Sequence, residues 1–127
     1  MNKKVLFIDN AVSYRNGHHL LREEGYHVDV VADRGIQDRL DIEDYDIIIL
    51  QEDPETDKWS LCEKVRRLCR QPLIVISLNA SADTCVRAIE AGADYFMRQP
   101  FGRREFTARV HSLLQRTRSK PAAAVSS

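Results

Sequence analysis

The chain has 127 residues, 43% of them hydrophobic, and its 19 Lys+Arg balance 19 Asp+Glu for a formal charge of zero. That size and apolar content suit one domain with a hydrophobic core and exclude a disordered chain, and the even charge gives no footing for wrapping nucleic acid. No apolar run is long enough to cross a membrane or to serve as a signal peptide, and Cys62, Cys69 and Cys85 make no CxxC pair, so the expectation is a reduced, cytoplasmic protein.

In chain order, the apolar, β-branched run at 5–8 reads as a buried strand ending at Asp9. A helix follows over 13–24, with Ser13 as a cap, Gly25 as a stop and Gly17 weakening its middle. Residues 27–31 read as a second strand, 35–41 as a short helix, and 46–50 as a third strand that is apolar throughout. The next helix covers 57–70, with Leu61, Val65 and Leu68 on one stripe. A fourth strand covers 73–76, a helix 81–91 closes at Gly92, and a short fifth strand covers 94–97. The last helix spans 103–116, with Phe106, Val110 and Leu113 facing inward. The domain is taken as 1–118, and residues 119–127, rich in Pro, Ala and Ser, as a linker or frayed end.

Five strands alternating with five helices imply βαβ units and a doubly wound parallel sheet covered on both faces. Such sheets bind ligands beyond the carboxyl ends of their strands. The residues to question are therefore Asp9 and Asn10, Gln51 to Asp53, Ser77, and Gln99 with Pro100.

With those strand ends in place, the order "VLFIDN", "DIIILQ", "PLIVIS", "EAGADYFMRQPF" and "EFTARVHSLL" resembles a response-regulator receiver domain of the CheY-like type over residues 3–117. The resemblance implies a flavodoxin-like sheet of order 2-1-3-4-5. It also implies an acid pair after the first strand, a phospho-accepting Asp after the third, a Ser or Thr after the fourth, and a Lys before a Pro after the fifth. Those positions fall here on Asp9 and Asn10, Gln51, Ser77, Gln99 and Pro100, and the switch aromatic falls on Phe96.

Three of those positions have changed chemical type. Acyl phosphate formation needs a carboxylate nucleophile, and the Gln51 amide is neutral. Mg²⁺ favours octahedral oxygen ligands with one or two carboxylates, and only Asp9 of the set supplies one. Gln99 lacks the ammonium that would hold a phosphoryl group. The expected outcome is a degenerate pseudo-receiver with no catalytic residue, no metal and no cofactor, its pocket held by neutral hydrogen bonds. The alternative is a displaced acceptor: Asp53 shares the strand parity of Gln51, and Glu52 could stand in as a fixed charge. The plainer reading makes both solvated acids ahead of the next helix.

Other candidates carry less. His18 and His19 lie about 100° apart around a helix and do not chelate together. Cys62 and Cys69 are about 10 Å apart along theirs and suit the core. No Gly-rich phosphate loop follows the first strand.

In its last third the chain is similar to the OmpR/PhoB-type, DNA-binding branch of the family. That likeness implies a homodimer through the fourth helix, fifth strand and fifth helix. Arg87, Glu90, Asp94, Glu105, Arg109 and Arg116 would be its interface residues, pairing Arg87 with Glu105 and Asp94 with Arg109 across a two-fold axis. The plain alternative is weak intrachain pairs on solvated helices. The expected role is phosphorylation-independent regulation by protein contact in two-component signalling and transcription. A DNA-binding effector would be joined through the C-terminal segment, with no nucleic acid or membrane binding by the domain itself. A stand-alone adaptor that binds a kinase or another regulator is the other reading.

Overall fold

Branched aliphatic runs make the sheet. In the computed structural model, which describes residues 3–9, 16–31, 44–52, 58–77, 81–98 and 101–126, the strands are β1 Lys4–Asp9, β2 His27–Val31, β3 Ile47–Glu52, β4 Leu73–Ser77 and β5 Tyr95–Arg98. All neighbours are parallel, in the order β2-β1-β3-β4-β5. The described helices are α1 Asn16–Glu23, α2 Lys58–Leu68, α3 Ala82–Glu90 and α4 Arg103–Ser126. The helix expected over 35–41 lies outside the described residues.

Side-chain alternation along each strand divides the core between the two sheet faces. On one face Leu6, Ile8, Ile48, Leu50, Leu73, Val75 and Phe96 pack against Cys62 and Val65 of α2, Cys69 just beyond it, and Ala88 of α3. On the other, Val5, Phe7, Ile47, Ile49, Ile74, Ile76 and Met97 pack against Leu21 of α1 and Phe106, Val110, Leu113 and Leu114 of α4. Cys62 and Cys69 are buried, as expected of core cysteines, and the Cys62 thiol donates to the Ala88 carbonyl at 3.9 Å. His18 is half-buried, edge-on to Phe7 with ring centroids 5.7 Å apart.

Three element ends differ from the sequence reading. β3 starts at Ile47 and runs through Glu52, because its ladder continues to Gln51 beside Asp9 and to Glu52 beside Ser77. Asp46 stands ahead of that strand, where its carboxylate accepts the Lys4 backbone N–H at 2.8 Å. β5 is shifted by one residue, to Tyr95–Arg98. Asp94 is left at the preceding turn, with its Oδ2 accepting the Leu73 N–H at 2.8 Å. α4 continues past residue 116 to Ser126, where Ala122, Ala123 and Ala124 have the highest helix propensity and partly offset Pro121.

The α3–β5 turn is held from across the sheet face by Arg66 of α2. Its guanidinium donates to the carbonyls of Gly92 and Gln71 and to Asp94 Oδ2, each at 3.0 Å. At the other side of the sheet the Tyr45 hydroxyl donates to Asp29 Oδ2 at 2.6 Å. Burial, and then that carboxylate, push the phenol up to about 12.

Gly92 has φ +119°, and a Cβ there would sit 2.8 Å from Arg66 Cγ; Gly25 has φ +95° with open space around it. Gly25→Ala is therefore expected to cost about 1 kcal/mol from left-handed backbone strain alone. Gly92→Ala is expected to cost more, about 2–3 kcal/mol, because it also displaces the Arg66 stem. Urea unfolding of the two variants beside the parent checks the order; equal losses would remove Arg66 packing from the account.

Candidate functional site

The strand register arranges the carboxyl edge of the sheet in rows. Asp9, Gln51, Ile76 and Met97 are successive Cα partners across β1, β3, β4 and β5. One residue further along, Glu52, Ser77 and Arg98 make the next row. Alternation places the first row on the α1–α4 face, with Ile49 and Phe7 two residues earlier on it. The second row falls on the α2–α3 face, two residues beyond the aligned Leu50, Val75 and Phe96. Gln51 and Ser77, which the sequence reading assigned to one pocket, are thus in adjacent rows, and the register neighbour of Ser77 on β3 is Glu52.

Gln51 is 1% exposed and Ser77 is fully buried; with Thr84 they are the buried polar residues among those described. This choice of residues fits the burial. A neutral amide or hydroxyl enters the interior at a cost of a few kcal/mol that hydrogen bonds recover, whereas a carboxylate without a cation would be driven to protonate. Phe96, the switch aromatic of the resemblance, is 9% exposed and packed in the α2–α3 core. Asp9 is the last residue of β1. Asn10, Asp53, Gln99 and Pro100 lie outside the described residues. No group of three or more His, Cys, Asp or Glu able to hold a metal is found among the described residues.

The charged residues expected at a dimer surface are exposed, and several have intrachain partners. Arg87 Nε donates to Asp83 Oδ2 at 3.0 Å, one helical turn back. Asp94 uses its Oδ2 for both Arg66 and the Leu73 N–H. Arg109 lies over the Tyr95 ring at 4.6 Å, joining α4 to β5. Glu90 and Glu105 are exposed and make no ion pair among the described residues. Arg116 belongs to α4. Val86 and Ile89 of α3 are exposed apolar residues beside Arg87 and Glu90.

Two residues of this region were not singled out from the sequence. Arg66 reaches residues 26 and 28 positions away, and no local pattern announces such a contact. Arg98 was placed beyond the fifth strand; the one-residue shift of β5 brings it into the ladder beside Ser77.

No protein-family model matches the chain. Among curated proteins it is 38% identical over 101 residues to the transcriptional regulatory protein CutR of Streptomyces coelicolor, covering 76% of this chain and 46% of that protein. It is 30% identical over 100 residues to the transcriptional regulatory protein SpaR of Bacillus subtilis, covering 78% of this chain and 46% of SpaR. The chain thus spans about half the length of the curated relatives it matches. Among solved structures, a CheY-like response regulator receiver domain protein from Methanospirillum hungatei superimposes with a TM-score of 0.76 at 22% identity, over 94% of this chain and 99% of that one, which shows a shared fold. With the same strand order, the same strand-end positions and relatives of this kind, the chain belongs to the response regulators, as a receiver domain of the CheY-like fold.

Proposed function

We propose that this receiver domain regulates by protein contact without being phosphorylated. The observation that carries the reading is Gln51, a neutral amide with 1% exposure at the third strand end, where the family's acceptor would stand. An amide oxygen does not form an acyl phosphate. The donor set around it does not suit Mg²⁺ either, since Asp9 is the one carboxylate among Asp9, Asn10 and Gln51 and the metal favours more charge and several waters. No step through a metal is assigned. The domain is a binding module in this reading, not an enzyme.

The output would be a homodimer built on α3, β5 and α4, feeding a DNA-binding effector joined through residues 119–127. Two observations support that surface. Both intrachain contacts of Asp94 go to Oδ2, so Oδ1 has no partner among the described residues and can accept the partner's Arg109 while Arg66 stays in place. Val86 and Ile89 supply apolar area at the centre of the charged ring. The transcription-regulator names of the relatives support the same output in two-component signalling.

Two outcomes are expected. Treatment with acetyl phosphate and Mg²⁺ leaves the intact mass of the protein unchanged; a phosphoryl adduct that disappears in Asp53→Asn would instead establish a displaced acceptor. In sedimentation velocity the parent is a dimer at micromolar concentration, and Arg109→Glu shifts it to monomer by at least roughly tenfold in dissociation constant, through lost pairing and repulsion from Glu105. A monomer in both samples would end the dimer reading.

A further inference from the structure

The row at the carboxyl edge joins an acid, a buried hydroxyl and a cation on three neighbouring strands: Glu52 on β3, Ser77 on β4 and Arg98 on β5, each the Cα register partner of the next. All three share the face that carries Leu50, Val75 and Phe96 two residues earlier. Two strand spacings separate the ends of the row, roughly 9–10 Å, a span that a glutamate and an arginine can together cover across a short serine. In the family's arrangement the acid and cation would occupy positions 51 and 99. Both are amides here, while an acid stands one residue later and a cation one residue earlier, and the register puts those two in line. A solvated pair at a sheet edge would be worth little, but Ser77 at the centre of this row is fully buried. Charges flanking it are therefore less screened than on an open surface.

We propose that Glu52, Ser77 and Arg98 act as one electrostatically coupled row that ties the ends of β3 and β5 together. The row supplies a permanent link where a receiver's acceptor and lysine would respond to phosphorylation. In that role it rests on the phosphorylation-independent reading above. Because Arg98 follows Phe96 by two residues on β5, and Tyr95 carries Arg109, the link fixes the strand that borders the proposed dimer surface.

A double-mutant cycle in urea tests the coupling, with the parent, Glu52→Gln, Arg98→Gln and the double variant. The single effects on the folded-to-unfolded ratio should overlap, so that the double variant loses at least roughly threefold less than their product. The overlap should shrink in molar salt. The exchanged pair, Glu52→Arg with Arg98→Glu, should regain part of the loss. A second measurement needs no stable variant: the Arg98 Nε resonance of the parent should move as Glu52 titrates at acid pH. Additive single effects at low salt, or an Nε resonance indifferent to that titration, overturn the coupled row. A phosphoryl adduct in the acetyl phosphate experiment with coupling intact would sink the phosphorylation-independent reading alone. Additive effects without an adduct would sink the row alone.

Discussion

The in-register parallel ladder from β1 through β3 and β4 to β5 is the constraint from which the rest of the structure follows. Because side chains alternate strictly along a strand, one set of Cα partnerships decides which residues enter which core and which residues stand together at the carboxyl edge. Ile8 beside Leu50 and Leu50 beside Val75 fix the α2–α3 face. The same register, carried on by one and two residues, fixes Asp9 beside Gln51 and then Glu52 beside Ser77 and Arg98. A slip of one residue in β5 would exchange Phe96 and Met97 between faces and dismantle both cores. The Asp94 carboxylate at the head of β5 guards against that slip, since it is bound to the Leu73 N–H that opens β4 and to Arg66 from α2.

The chemistry at the edge follows from what burial permits there. In a receiver that works by phosphorylation, a carboxylate at the third strand end needs a metal and a cation to offset its charge. Here the position is sealed to 1% exposure and holds an amide. Neutral groups in that place keep the scaffold and remove the electrostatic cost that metal and phosphate would otherwise have to meet. Charge is kept one row out, with Glu52 and Arg98 on either side of the Ser77 position. A domain of this design holds one arrangement of β5, and its contribution to signalling would lie in the surface that arrangement presents.

Much of this was legible in the sequence for a physical reason. Continuous apolar runs such as 47–50 and 73–76 have no stable place except a strand covered on both faces, so the sheet and its strand-end residues could be listed before any coordinates. Strand and helix ends were less legible, because polar residues end an apolar pattern without ending a ladder. Gln51 and Glu52 continue β3, and Arg98 continues β5. That single-residue uncertainty mattered most at the site, where it separated Gln51 from Ser77 and brought Arg98 in. The expected dimer charges were identified correctly as exposed groups, but the intrachain claim of Arg66 on Asp94, and of Tyr95 on Arg109, depends on contacts far apart in sequence. Arg66 closes on the turn because Gly92 has no side chain to obstruct it.

The central claim is that position 51 is a place for a neutral group, and the isosteric change Gln51→Glu addresses it most directly. Urea unfolding of parent and variant is followed from acid to neutral pH. With no metal or cation at the site, burial must raise the folded carboxyl pKa above its unfolded value of about 4.3. The variant should then approach parental stability below that value and fall behind as pH rises, by about 1–3 kcal/mol near neutrality, as the unfolded chain releases a proton that the folded state retains. A variant that matches or exceeds the parent at neutral pH, or whose deficit narrows as pH rises, would show that the site accommodates a negative charge and would contradict the account.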